Sequence, residues 1–332
     1  MIIFSLAIFP ASLALTWWIR RYCVARGIVD VPNARSSHTG IVARGGGIGF
    51  SFLFLVAILA LGAQGTLPWR ITLALSGGGA VVVLTGWTDD RRGLSQIVRA
   101  ILHLLAAAWA VYWIGFVPPF SPGPVFGNFG WTGSLVTIVA VAWMVNLYNF
   151  MDGTDGIAGV EAVTVGLLAG GLCMAVGVAA IGQVYWLLAT AVAGFLMWNW
   201  PPARIFMGDA GSGFLGFAFA ALVLWCAVEN GRLLWPSCIL LSVFFADATT
   251  TLLVRMSRGE KWYEAHSSHA YQRLARRWGH RPVALGISMI NLLILGPASW
   301  VAWTYPNSAL PLALLVNAAL ATAILIIRRR LD

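Results

Sequence analysis

Apolar runs of about 17 to 21 residues alternate with short polar segments along the whole chain. They lie at 2–19, 46–62, 71–87, 97–116, 132–149, 157–177, 178–198, 212–228, 234–254, 283–303 and 308–327. A helix of that length crosses roughly 30 Å of hydrocarbon. The pattern therefore predicts an all-α, polytopic membrane protein with about eleven transmembrane helices. Spans of about 20 residues take up most of the 332 residues, leaving only short loops. We therefore read residues 1–332 as a single integral membrane domain, with 255–282 as its longest polar loop.

Composition agrees: 59% of residues are hydrophobic, 10% are charged and the mean hydropathy is +0.81. Charge also sets an orientation, because Lys and Arg accumulate on cytoplasmic loops. With the N-terminus outside and the C-terminus cytoplasmic, 19 of the 21 basic residues fall on the cytoplasmic side, and only Arg70 and Arg232 lie outside. The net charge of +9 does not imply nucleic acid, since the basic residues flank the spans and no soluble nucleic-acid module is present. Anionic headgroups and phosphorylated substrates are the expected partners. The four cysteines show no paired metal-ligand spacing and imply neither a disulfide framework nor a zinc site. In residues 2–21 the positive charge of Arg20 and Arg21 follows the apolar run, so the segment reads as a retained first helix rather than a signal peptide.

Five aspartates gather on the face expected to be cytoplasmic. Asp89 and Asp90 begin the loop after the third apolar run, Asp152 and Asp155 follow the fifth, and Asp209 precedes the eighth. The segment from Asn146 to Gly156 spaces Asn146, Asn149, Asp152 and Asp155 three apart, so their oxygens share a helix face. Capping of the next helix by the two aspartates is the structural alternative. In Phe206-Met207-Gly208-Asp209-Ala210-Gly211-Ser212, a carboxylate sits in a tight turn before a helix whose N–H groups favour anions. Hard cations such as Mg²⁺ take one or two protein oxygens and complete their shell with phosphate and water, so Asn149 and Asp209 form a candidate metal site. A simple helix cap is again the alternative for Asp209. Arg44 precedes a glycine run, Arg99 opens the fourth helix, and His266 and His269 lie in the most basic loop. Asp247 lies inside the ninth apolar run, where it could serve function or form a snorkelling pair with a nearby arginine.

The strings Asn-x-x-Asn-x-x-Asp-Gly-x-Asp-Gly and Phe-Met-Gly-Asp-x-Gly-Ser, together with Asp89-Asp90, the 30–38 segment and the histidine loop, resemble the polyprenyl-phosphate N-acetylhexosamine-1-phosphate transferases of the MraY and WecA type. The resemblance spans most of the chain. It implies transfer of a sugar 1-phosphate from a UDP-N-acetylhexosamine to undecaprenyl phosphate, with release of UMP and with Mg²⁺, or alternatively Mn²⁺, as cofactor. Residue by residue, it implies Asn149 and Asp209 as metal ligands, and Asp155, Asn199 and Phe206 as the uridine pocket. Asp89 matches the proposed base, Asp90 and Asp152 the other functional acids, and Arg99 the basic residue near the diphosphate; Arg44 joins the substrate-binding set. His266 and His269 occupy the place of a histidine-rich loop, here thinned to His-Ser-Ser-His. That thinning looks nearest to WbpL-like, O-antigen-initiating enzymes acting on GlcNAc or a 6-deoxy relative such as FucNAc or QuiNAc. The implied location is the bacterial inner membrane with a cytoplasmic active site, and a homodimer is left open.

The residues suit that chemistry independently of the resemblance, because two anions can meet only if a cation and positioned basic groups offset their repulsion. The competing class is a secondary transporter for an anionic substrate. Transporters normally set ionisable groups near the bilayer midplane between repeated halves. Here the carboxylates cluster on one face.

Overall fold

The structure is a computed structural model that describes residues 2–30, 40–116, 130–260 and 267–331. Helices dominate: α1 (Ile2–Ala25), α2 (Gly47–Ala63), α3 (Trp69–Arg92), α4 (Gln96–Ile114), α5 (Gly130–Met151), α6 (Ile157–Ala175) and α7 (Ala179–Asn199) are followed by α8 (Asp209–Glu229), α9 (Leu234–Leu240), α10 (Ser242–Ser257), α11 (Ala270–Trp278), α12 (His280–Ile290), α13 (Gly296–Thr304) and α14 (Pro306–Leu331). A helix thus occupies each of the eleven apolar stretches. Among the described residues, eight helical segments are long and apolar enough to cross a membrane, with the α12–α13 segment counted as one. The pair α9–α10 makes a ninth if its 70° bend is counted within one span, and α2 is shorter, at 17 residues.

The helix α8 is the hub of the bundle, packed against α2, α3, α4 and α5 and almost wholly buried. Its sequence explains why. Gly211 faces Gly47 of α2, Ala210 faces Gly86 of α3, and Gly216 lies against the Met144 carbonyl of α5, and a Cβ added at any of these glycines would strike backbone. Small residues let helix backbones approach where lipid supplies no hydrophobic drive to pack them. The consequence is positional: the first turn of α8 is wedged between the ends of α2, α3 and α5.

Two features depart from the run of uninterrupted helices. Between α12 and α13, residues Asn291–Leu295 form a π-helical segment. It turns Asn291 toward α6, where its amide donates to Glu161 Oε2 at 2.7 Å and to Thr164 Oγ1 at 2.8 Å; Glu161 is 0% exposed. The all-α expectation is also corrected by a small sheet of β1 (Val29–Asp30), β2 (Val42–Arg44) and β3 (Ile205–Phe206), in the order β1-β2-β3. Strand β2 pairs antiparallel with β1 and parallel with β3, in a register that sets Arg44 opposite Phe206. Two- and three-residue strands carry no detectable period. Only the packing of the polar connections over the helix ends brings them together.

Candidate active site

Five pieces of chain meet at the first turn of α8: the C-terminal ends of α3 and α5, the N-terminal turn of α4, strand β2 and α8 itself. Asp90, near the end of α3, accepts from the Asp209 N–H at 3.1 Å and the Ala210 N–H at 3.3 Å. It thereby caps α8 from a different helix, a job that the N-terminal N–H groups require of some acceptor. The N-cap residue itself is Gly208, at φ +75°, and any Cβ there would press on the Asp90 carboxylate. Because Asp90 does the capping, the Asp209 side chain is released for other contacts.

Those contacts are charged. Asp209 Oδ1 lies 2.9 Å from an Arg44 guanidinium nitrogen, while Oδ2 accepts from Asn149 Nδ2 at 3.2 Å and from Arg99 at 3.5 Å. Arg44 also reaches Asp90 at 2.8 Å, and Arg99 reaches Asp89 at 2.7 Å. The second Asp89 oxygen accepts from the Leu94 N–H and closes the turn between α3 and α4. Asn149 is fixed at its other end, where its Oδ1 accepts from Ser212. Three carboxylates and two guanidiniums are thus interleaved. Burial disfavours the Arg44 charge, but Asp90 and Asp209 outweigh it and raise its pKa, so Arg44 is a permanent cation. Asp152, just beyond α5, is driven well above the usual carboxylate range by burial first and by the Asp209 charge second, with Arg44 opposing.

Phe206 lies opposite Arg44 in the sheet, and Asn199 and Asp155 bond to the connection between α7 and α8. Asn199 is buried and uses both ends of its amide locally: Oδ1 accepts from Gly156 N at 3.0 Å and Nδ2 donates to Ile205 O at 2.9 Å. Asp155 Oδ2 accepts from Ala203 N at 3.0 Å and sits 3.2 Å from His280 Nδ1. Asp155 therefore ties α6 to the 200–205 connection and to α12 instead of capping its own helix. His280 had no signal in the sequence, being 125 residues away with no local motif.

His269 and Asp247 form a separate buried knot. Asp247 Oδ1 lies 3.3 Å from His269 Nδ1 and accepts from Thr251 and from the Ala270 N–H, while Oδ2 accepts from the Tyr271 N–H at 3.0 Å. Asp247 is thus the acceptor for the first turn of α11, a role weighed by neither earlier reading of this residue. His269 is 2% exposed. Tyr271 donates to the Phe150 carbonyl at 2.9 Å, which docks α11 on the end of α5 next to Asn149. His266 lies outside the described residues.

Among the described residues, no three His, Cys, Asp or Glu side chains converge as a metal cage. Of the expected metal pair, Asp209 presents its carboxylate to the cluster, whereas Asn149 turns its amide nitrogen to Asp209 and its oxygen to Ser212. Chemically, the cluster can bind a polyanion through Arg44 and Arg99 while holding carboxylates in position to accept a proton or a cation.

Comparison with known proteins agrees. Residues 72–227 match the family described as "Glycosyl transferase family 4". A decaprenyl-phosphate N-acetylglucosaminephosphotransferase of Mycobacterium tuberculosis (strain ATCC 25618 / H37Rv) is 30% identical over 94% of this chain and 85% of its own length. The "Probable undecaprenyl-phosphate N-acetylglucosaminyl 1-phosphate transferase" of Bacillus subtilis (strain 168) is 28% identical over 85% of this chain and 79% of its own. An undecaprenyl-phosphate alpha-N-acetylglucosaminyl 1-phosphate transferase of Escherichia coli (strain K12) is 29% identical over 68% and 61%. These matches are to transferases, and the transporter alternative gives way to them.

Proposed function

Because the chain belongs to glycosyl transferase family 4 and is a glycosyl-1-phosphate transferase, we propose that it moves an N-acetylhexosamine 1-phosphate from a UDP-sugar to undecaprenyl phosphate and releases UMP. The observation that carries this reading is the ring of charge around Asp209, in which Arg44, Arg99 and Asn149 all contact one carboxylate at the N-terminus of a buried helix. Such an assembly suits a reaction between two phosphorylated substrates.

Mg²⁺, with Mn²⁺ as a substitute, suits the Asp209 carboxylate, a hard ligand of the kind of which Mg²⁺ commonly takes one or two from protein, and Asn149 Oδ1 would join it once the amide turns its oxygen from Ser212 toward Asp209. Bound there, the ion would supply charge neutralisation to the diphosphate and to the departing UMP. The chain's own residues do the rest. Asp89, held by Arg99, keeps the lipid phosphate deprotonated and oriented for in-line attack on the sugar-linked phosphorus. Asp90 acts by locking α8, and with it Asp209, in place. Arg44 and Arg99 offset the repulsion of the incoming anions. The uridine lies against Asp155, Asn199 and Phe206, with the sugar and diphosphate toward His266 and His269; Asp152 completes the acidic set.

On this reading the enzyme is an eleven-span protein of the bacterial inner membrane, N-terminus outside and C-terminus inside, with its site facing the cytoplasm. The donor is UDP-GlcNAc or a 6-deoxy relative, and the product starts a cell-surface polysaccharide such as O-antigen. The test is incubation of purified protein with undecaprenyl phosphate, Mg²⁺ and a panel of UDP-N-acetylhexosamines while UMP is measured. Acceptor-dependent UMP release is expected with one or more of them. No release with any donor would refute the assignment, and labelling of a cysteine placed at position 266 from outside intact cells would refute the topology.

A further inference from the structure

The buried pair of Glu161 on α6 and Asn291, at the start of the π-helical segment, takes no part in the cluster around Asp209. Both residues are 0% exposed. Each hydrogen of the Asn291 amide nitrogen has an acceptor, Glu161 Oε2 at 2.7 Å and Thr164 Oγ1 at 2.8 Å. Thr164 in turn donates its hydroxyl hydrogen to the Val160 carbonyl at 2.9 Å. Two oxygens are left over. Glu161 Oε1 and Asn291 Oδ1 are buried with no hydrogen-bond partner among the described residues. They are the second atoms of the same two planar groups that already share one bond.

Charge decides how these oxygens are used. Asn291 is the side chain that stabilises a negative Glu161, and among the described residues no basic side chain pairs with it. An isolated buried carboxylate is so costly that the group takes up a proton instead. Two buried acceptors facing no donor carry their own penalty, which a single hydrogen between them removes. A carboxylic acid has one O–H donor and keeps an acceptor oxygen, the complement of a primary amide.

We propose that Glu161 is a proton-binding site, held as the neutral acid in a two-bond ring with Asn291. Oε1–H donates to Asn291 Oδ1 while Asn291 Nδ2 donates to Glu161 Oε2. The ring is also a fastener. Helix α12 packs on α6 and is tied to the same stretch of chain at both ends. His280, its first residue, lies 3.2 Å from Asp155 just ahead of α6, and Asn291 directly follows its last. Beyond the ring, a Cβ added at Gly296 would come within 3.0 Å of Leu168 on α6, so the helices stay close past the π-helical turn. Such turns need local support, and here the ring supplies it. Glu161 is therefore a positioning residue for α12 and touches none of the reacting atoms.

The test uses full-length protein in detergent and reads no turnover, so it stands apart from the proposed function. Infrared difference spectra of wild type against Glu161→Gln at neutral pH should show the C=O stretch of a carboxylic acid that the variant lacks. Carboxylate bands in its place would overturn the proposal. In Asn291→Ala the acid stretch should persist but shift to higher frequency, because its O–H and C=O lose their partners; an unmoved band would dissolve the ring. Thermal unfolding gives a second reading. Glutamine offers an N–H where the acid has its O–H, so Glu161→Gln should unfold near the wild-type midpoint. Glu161→Ala strands the buried Asn291 amide and should unfold several degrees lower. Equal losses in the two variants would mean that the carboxyl is needed as a charge, against the proposal. A wild-type midpoint that rises with added sodium, with no such response in Glu161→Gln, would replace the proton with a bound cation. Should the alanine variant fail to fold, Glu161→Gln and the spectra still decide.

Discussion

Replacing Asp209 with asparagine separates a role in the reaction from a role in the fold. The structure says that the fold barely needs the charge. The N-terminus of α8 is capped by Asp90 through backbone N–H groups that the substitution leaves untouched. What α8 loses is one acidic group in its first turn, about 0.3–1 kcal/mol through the helix dipole. Loss of attraction to Arg44 and Arg99 is partly offset by relief of repulsion from Asp89 and Asp90, so the unfolding midpoint should move little. Turnover is another matter. Asp209 meets cationic groups at both oxygens, and a divalent cation drawing on the same oxygens would make at least two charged contacts. At roughly 1.5–3 kcal/mol each, their loss removes about 3–6 kcal/mol, or ~10²- to 10⁴-fold in rate at 1.36 kcal/mol per decade. The assay is Mg²⁺-dependent UMP release by the purified variant, with its thermal midpoint measured on the same preparation. Asn149→Ala should show a smaller loss, since an amide contributes no charge. A folded Asp209→Asn protein that releases UMP at near wild-type rate would remove Asp209 from the metal site and most of the mechanism with it.

Other consequences follow from the same geometry. Asp155→Ala should weaken donor binding by about ten-fold to over a hundred-fold, the worth of a charged hydrogen bond of roughly 1.5–3 kcal/mol; unchanged donor affinity by calorimetry would take it out of the pocket. Gly47→Ala puts a methyl group against the Gly211 backbone; overpacking of this kind costs about 1–3 kcal/mol, and the strain falls on the turn carrying Asp209, so both stability and UMP release should drop, whereas an unchanged midpoint would contradict the close approach of α2 and α8. Asp247→Ala leaves two N–H groups of α11 without their acceptor, so cleavage by added protease between residues 258 and 280 should accelerate; identical digestion of variant and wild type would show that α11 is held otherwise. Because Asp152 has a raised pKa, the folded protein binds a proton there that the unfolded chain has released, and stability falls as pH rises above the ordinary carboxylate range. In metal-free protein, Asp152→Asn should therefore raise the midpoint at pH 8 and do so far less at pH 4; equal shifts at both would refute the burial argument.

How much of this was legible beforehand depends on the range of the physics. The period of apolar residues reports on contact with lipid, which each segment experiences separately, so the helices could be read from the chain alone. The spacing of Asn149, Asp152 and Asp155 is likewise local, and it is what singles these residues out as candidates in the sequence. Contacts between segments are not local. That Asp90 caps α8 from another helix, that Arg44 lies opposite Phe206 in a three-stranded sheet, and that His280 reaches Asp155 all depend on glycine-to-backbone approaches among α2, α3 and α8 and on the docking of α11 and α12. No period or short motif records those distances. Asp247 shows the difference most plainly: its sequence offers only a carboxylate in an apolar run, and tertiary packing makes that carboxylate the acceptor for a helix that begins 23 residues later. A buried charge must find partners wherever the fold supplies them, so its existence is written in the sequence while its partners are decided by the packing.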